Sequence, residues 1–185
     1  MSLSEDQQSL YDRIRNSHRA SDPRPYPITD ANGDLVGPFK PLLLSPLIGG
    51  AIERLGNALR TPAMLSPRAR EISILLVAAH EHCAYEWEIH AHRAALLGID
   101  EVMLERLSAV DPTAVTDVFE RAVADLTIHL IEHGTTQAEA LRSYEQQLSA
   151  ATVFEVIALT GYYRLLADLS NFGQRTANDL TPDHG

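Results

Sequence analysis

Apolar residues recur at helical spacing along most of the chain, and no segment reads as a strand. Ser4 and Gln7 have capping-box spacing, with Leu10 and Ile14 following one turn apart, which predicts an amphipathic helix over roughly 4–19. Ser45-Pro46 and Ser66-Pro67 each place an N-cap residue before a first-turn proline, predicting helices over about 46–60 and 67–80. In the second, Ile72, Leu75, Leu76 and Ala79 fall at i, i+3, i+4 and i+7. A further helix is expected over 83–97, stopped by Gly98. Asp100 is placed to cap a short helix with Val102, Met103 and Leu107 inward. Asp111-Pro112 repeats the cap-plus-proline signal. The helix after it carries Val118, Ala122, Leu126 and Leu130 at four-residue steps and ends near Gly134. Thr136 and Glu139 form another capping-box pair. Residues 151–170 are apolar nearly all round, with Val153, Phe154, Val156, Ile157, Leu159, Leu165, Leu166 and Leu169. Such a helix should be buried within the subunit or between subunits. The fold class is therefore all-α, a bundle of about seven to eight helices.

Residues 20–45 interrupt the periodicity with Pro23, Pro25, Pro27, Gly33, Gly37, Pro38 and Pro41. The segment also holds Tyr26, Ile28, Leu35, Val36, Phe39 and Leu42–Leu44, too apolar for a disordered linker. It is expected to be an ordered arm lying on the core or on a neighbouring subunit. The chain thus divides into an N-terminal helix and extended arm (1–45), a helical domain (46–170) and a tail (171–185). An apolar helix and an apolar arm on one chain of 185 residues predict a homo-oligomer, a trimer or hexamer.

Charge narrows the function classes. Fifteen Lys and Arg against 25 Asp and Glu give a formal charge of −10. That balance argues against nucleic-acid binding, which needs a basic face, and against docking on an anionic membrane. The single cysteine, Cys83, excludes an internal disulfide, a Cys-rich zinc site and a Cys-x-x-Cys redox pair. Charged residues among the first twenty leave no signal-peptide stretch, and no apolar run approaches about 18 residues. The expectation is a cytoplasmic protein outside the membrane, with a small-molecule substrate as partner.

The chemistry concentrates in residues 71–98, which hold His80, His82, His90 and His92 together with Glu71, Glu81, Cys83, Tyr85, Glu86, Trp87 and Glu88. Within one helix Cys83, Glu86 and His90 share a face. A thiol, a carboxylate and an imidazole in reach of one another can handle a proton. A plainer reading makes Glu86 and His90 a surface i,i+4 pair and Cys83 a small buried apolar residue. His82, Glu86 and His90 also form an i, i+4, i+8 stripe of metal-ligand types. Against a metal, His80-Glu81 lacks the second histidine of a zincin motif, because position 84 is Ala, so no metal is expected. His18, His129, His133 and His184 stand alone and read as structural or solvated.

Arg70 to Ala79, then Tyr85-Glu86-Trp87-Glu88-Ile89-His90 and Ala94-Ala95-Leu96-Leu97-Gly98-Ile99, resemble the central motif of the carboxymuconolactone decarboxylase family, within the alkylhydroperoxidase D-like superfamily. Gly37-Pro38-Phe39, Ser45-Pro46 and Leu159-Thr160-Gly161-Tyr162-Tyr163 fit the same pattern, so the resemblance covers most of 37–170. It implies an all-helical alkylhydroperoxidase D-like bundle that assembles into dimers, trimers or trimers of dimers. In the peroxidase branch, a Glu precedes Cys-x-x-Cys-x-x-x-His. Glu71, Cys83 and His90 match it, but Glu86 stands where the peroxide-reducing cysteine belongs, and a carboxylate cannot form a sulfenic acid. Tyr-Glu-Trp-x-x-His is similar to the decarboxylase branch, which uses no cofactor.

The expected activity is therefore cofactor-free proton transfer on a lactone acid or a related small carbonyl acid. The alternatives are a thiol-dependent peroxide reductase and a non-catalytic helical oligomer that binds a small molecule. In the decarboxylase reading His90 supplies a proton and Glu71 or Glu86 fixes its ring. Tyr85 donates to the developing enolate, Trp87 walls the pocket, Arg70 or Arg93 holds a second carboxylate, and Cys83 packs beside the substrate. Glu71 reaches His90 only if the chain bends near 80–83. On this reading His90→Gln removes turnover without altering the melting profile.

Overall fold

The computed structural model describes residues 3–17, 24–60 and 64–179. His18, His184, the end of the first expected helix and the start of the arm lie outside them. Among the described residues there are nine α-helices and no strand. They are α1 (Glu5–Arg15), α2 (Phe39–Leu42), α3 (Pro46–Ala58), α4 (Pro67–His80), α5 (Ala84–Leu96), α6 (Glu101–Ser108), α7 (Val118–His133), α8 (Ala138–Gln147) and α9 (Ala150–Asp179). The protein is all-α.

Several starts are set by the expected side chains. Ser4 and Gln7 form the reciprocal capping box of α1. Ser66 Oγ accepts from Ala69 N at 3.1 Å, with Pro67 in the first turn of α4, and Asp100 Oδ1 accepts from Met103 N at 2.8 Å to open α6. Three signals resolve differently. Ser45 makes no side-chain cap, so proline alone marks the start of α3. Asp111-Pro112 opens a 3-10 turn (Pro112–Ala114), and α7 begins later, where Asp117 accepts from Glu120 N. Thr136 does not box with Glu139. Its hydroxyl donates to His133 O at 3.0 Å, closing α7, while α8 starts after Gln137.

Helix α4 is central, packing against α5, α6, α7 and α9. It is buried along nearly its whole length, including Glu71 and Ser73. Ser73 meets the cost of burying a hydroxyl by bonding Thr127 at 2.7 Å, and Thr127 donates on to Val123 O. Three apolar clusters surround this helix. The first joins α4 to α7 and α9 through Ile74, Val77, Leu126, Val156 and Leu159. A second brings Leu10 and Ile14 of α1 and Ile28, Leu35, Phe39 and Leu42 of the arm onto Cys83, Tyr85 and Ile89. The third unites Ile72, Leu75 and Leu76 with Met103, Leu107 and Val115. The described part of the arm thus lies on the core of its own chain. Its one β-bridge, Thr29 with Leu35, closes a turn.

Two inward assignments fail. Val102 is 67% exposed, because Met103 and Leu107 carry the buried face of α6 and Val102 is turned about 100° away. Val118 is 85% exposed, at the first residue of α7, before that helix meets its neighbours.

Helix α9 is longer and less buried than expected. It continues to Asp179, so residues 171–179 extend the helix rather than begin a tail. Val153, Val156, Leu159, Tyr163, Leu166 and Ser170 line the buried face at three- and four-residue steps, whereas Phe154 is 70% exposed. By length and composition Ala150–Gln174 is apolar enough to cross a membrane, and half of its most apolar window is buried inside the bundle.

Between α4 and α5 the chain turns through Glu81 and His82. His82 has φ of 52°, in the left-handed region, and Cys83 caps α5. The expected bend is therefore sharp enough to lay α5 back along α4.

Candidate active site

Reversal at His82 brings α4 and α5 side by side and places three buried polar side chains together. Glu71 Oε2 lies 2.5 Å from His90 Nδ1, and Glu86 Oε2 lies 3.4 Å from His90 Nε2. Glu71, Glu86 and His90 are each no more than 4% exposed. The imidazole is thus held at both nitrogens by carboxylates. The edge-to-face ring of Tyr163 from α9, with centroids 5.1 Å apart, fixes it further.

Burial alone would push the His90 pKa down. The Glu71 charge, with hydrogen bonds that the ring donates to Glu71 and Glu86, outweighs it and raises the value above that of an ordinary imidazole. Burial likewise would raise Glu71. The bonded His90, then Arg93 and Arg70, bring it net below the usual carboxylate value. Both shifts favour the imidazolium–carboxylate form of the pair.

Two spaces flank this group. A cleft of about 280 Å³ opens on the Glu71 side, lined by Arg60, Arg70, Arg93, Ile74, Leu97 and Tyr163 along with His90. A chamber of about 20 Å³ lies on the Glu86 side, between Arg24, Phe39, Tyr85, Ile89 and Leu166. Arg60, His90, Arg93 and Tyr163 line both. The cleft admits a small ring, and the chamber has room for about one water-sized group. In a chain of charge −10, four of its 15 cationic residues converge here.

Tyr85 sits under the arm. Gly37 has φ of 61°, and a Cβ there would collide with the Tyr85 ring, so this close approach requires glycine. Tyr26 and Phe39 pack on the same ring. Arg24 Nη2 donates to Tyr85 Oη at 3.0 Å. Burial, partly opposed by Arg24, pushes the phenol pKa up to about 12, so the hydroxyl keeps its proton and remains a donor.

Of the expected residues, Glu71, Glu86, His90, Tyr85, Arg70 and Arg93 line these spaces. Trp87 does not. One position beyond Glu86 it turns about 100° away and packs, partly buried, against the third cluster. Cys83 is buried in the second cluster and lines neither space; burial pushes its thiol pKa up, away from the reactive thiolate. The His82–Glu86–His90 stripe is not assembled. His82 precedes the helix and is exposed, whereas the other two are buried. Among the described residues no three His, Cys, Asp or Glu side chains are grouped to hold a metal. The unforeseen members are Arg24, Arg60 and Tyr163, which come from the arm, the turn after α3 and the middle of α9. Compared with known protein families and with curated proteins, the chain gives no match.

Proposed function

We propose that the protein is a cofactor-free proton-transfer enzyme of the carboxymuconolactone decarboxylase type, acting on a lactone acid or a related small carbonyl acid. The observation that carries this is His90, buried and held between Glu71 and Glu86 at the floor of an arginine-lined cleft. A structural ion pair would not need an adjoining cleft with three arginines on its wall.

In this reading the substrate ring occupies the larger cleft, its carbonyl oxygen enters the adjoining chamber beside Tyr85 and Nε2 of His90, and an arginine among Arg60, Arg70 and Arg93 holds a carboxylate. The carbon–carboxyl bond of the reacting acid breaks, carbon dioxide leaves, and the bonding electron pair moves into the conjugated carbonyl. Tyr85, a neutral phenol, donates to the enolate oxygen. His90 then delivers a proton to carbon as the carbonyl reforms, and solvent reprotonates the ring. Nε2 is the nitrogen suited to this step, since its contact with Glu86 is the longer one. Glu71 holds the other nitrogen and stabilises the charged ring.

A thiol peroxidase is disfavoured by a lone cysteine that is buried and raised in pKa. We also propose that the enzyme works as a homo-oligomer, a trimer or hexamer. The test of the reaction is a screen of unsaturated lactone carboxylates for carbon dioxide release, run in deuterated water. Release with one deuteron fixed on carbon, abolished in His90→Gln, supports the proposal. Hydroperoxide consumption with an external thiol and no carbon dioxide from any lactone acid would overturn it.

A further inference from the structure

Arg24 belongs to the irregular arm, and its guanidinium is spent on a phenol rather than on a carboxylate. Nη2 donates to Tyr85 Oη at 3.0 Å. Nε and Nη1 are buried and, among the described residues, have no hydrogen-bond partner. Buried cations are ordinarily paired with an anion, so this arrangement asks for a reason. Tyr85 Oη accepts from Arg24 with a lone pair, so its own proton points away from the guanidinium. The described residues offer that proton no acceptor. Tyr26 and Phe39 pack on the Tyr85 ring, which lies close against Gly37. Arg24 and Tyr85 line the small chamber with Glu86 and His90. Its volume of about 20 Å³ holds one oxygen-sized group. The cleft of about 280 Å³ shares His90 and Tyr163 with it, so a ring in the cleft can present a single oxygen there.

Resting on the proton-transfer reading above, we propose that Arg24 is a positioning residue. It aims the Tyr85 hydroxyl into the chamber as a charge-assisted donor to one anionic oxygen of a planar ring ligand, an enolate or a phenolate. A cation hydrogen-bonded to a phenol oxygen draws electron density from the O–H bond and strengthens its donation. Burial raises the Tyr85 pKa, and Arg24 is the foremost influence opposing that rise. The hydroxyl therefore keeps its proton while becoming a better donor. Glu86 lines the same chamber and repels an anion, and the cation behind Tyr85 offsets it. A stronger donor gains most from an oxygen that carries charge, which is the oxygen formed as the bonding electrons enter a carbonyl. The arm thus sets how strongly Tyr85 donates.

The probes are 4-nitrophenol and nitrobenzene, which share a ring and differ by the one oxygen. Binding to the full chain is read by calorimetry, and the phenolate absorbance reports how much of the bound 4-nitrophenol is ionised. The parent should favour 4-nitrophenol about tenfold and hold a larger ionised fraction than free solution does. Arg24→Gln should erase most of that preference and return the bound probe towards its neutral form. Arg24→Lys, which keeps the charge but not the planar fork, should restore part of both. Tyr85→Phe should lose as much as Arg24→Gln, and combining the two should cost little more, because Arg24 acts through Tyr85. A merely structural role for Arg24 would weaken both probes alike and leave their ratio and the ionised fraction unchanged. That result, a parent without preference, or a full further loss from Arg24→Gln in the Tyr85→Phe background overturns the proposal. Should Arg24→Gln fail to fold, Arg24→Met fills the space without donors and carries the same expectation. An unaltered ratio in Tyr85→Phe overturns the proposal whatever the Arg24 variants do. If no lactone acid is turned over yet the ratio follows Arg24 through Tyr85, the reaction falls and the positioning role stands. If lactone acids are turned over with the ratio independent of Arg24, the reverse holds.

Discussion

Glu71 Oε2 rests 2.5 Å from His90 Nδ1 although nineteen positions separate them. In one straight helix they would be about 28 Å apart. The turn at His82 folds that distance away, so the local backbone reversal and the charge pair form one feature. Each helix contributes a carboxylate, and the imidazole on α5 bridges them.

This pairing sets a pH window for stability. His90 is held above its usual 6.5, so its contribution is complete below 6.5 and is lost as pH rises through the folded value. Glu71 is held below its usual 4.5, so its contribution is present above 4.5 and is lost as pH falls through the folded value. The pair therefore stabilises most between 4.5 and 6.5. The melting temperature of the parent minus that of Glu71→Gln/His90→Gln should peak in that window and decline on both sides. A difference that grows into mildly alkaline solution would contradict the assignment.

His82 offers a separate check on the reversal. A non-glycine residue at φ of 52° costs about 1–2 kcal/mol relative to a helical conformation. Its side chain is exposed, so little packing is lost on removal. Glycine adopts this region freely, and His82→Gly should raise stability by about 0.5–1 kcal/mol in denaturant unfolding. A loss of more than 1 kcal/mol would mean that the His82 side chain itself holds the turn.

Much of this arrangement was legible in the sequence, for identifiable reasons. Ser66-Pro67 and Asp100 act within one turn, so their caps could be read locally. Glu86 and His90 are one helical turn apart, and their pairing follows from the 3.6-residue period. Glu71 needed only the additional idea of a bend. Arg24, Arg60 and Tyr163 reach the site through packing between segments far apart in the chain, which no spacing encodes. Trp87 faces elsewhere because an aromatic next to Glu86 can turn toward either of two cores. The metal-like stripe failed because His82 leaves the helical path.

Cys83 should behave as a packing residue. It is 2% exposed, and its thiol is raised in pKa by burial. Iodoacetamide should label it slowly in the native protein and rapidly after unfolding. Cys83→Ala should retain turnover on whichever acid the screen identifies. Fast native labelling, with peroxide reduction that vanishes in Cys83→Ser, would revive the peroxidase reading.

The proposed assembly is tested at what the single chain leaves uncovered. Phe154 is 70% and Leu55 46% exposed, and with Leu59 and Leu65 they border a largely apolar groove of about 200 Å³. A second copy is the occupant we expect, because each α9 brings both a groove and a projecting phenyl ring. Light scattering should give a mass well above 20.4 kDa for the parent, and Phe154→Glu should reduce it. A monomeric parent at micromolar concentration would remove the oligomer from the proposal.

Replacing His90 should separate catalysis from stability. Burial alters the simple expectation that His90→Gln leaves the melting profile unchanged. His90 lies between two carboxylates that are each 4% exposed, and replacing it with glutamine takes the bonded counter-charge from both. Breaking a buried pair on one side costs about 3–5 kcal/mol. Glutamine also cannot transfer the proton, so turnover should fall by about 10²–10⁴. In Glu71→Gln/His90→Gln one of the stranded charges is gone, and the two amides can bond to each other. Most of the lost stability should therefore return, as measured by denaturant unfolding, while turnover stays at the His90→Gln level. Recovery of both together would mean that His90 acts only by holding the fold.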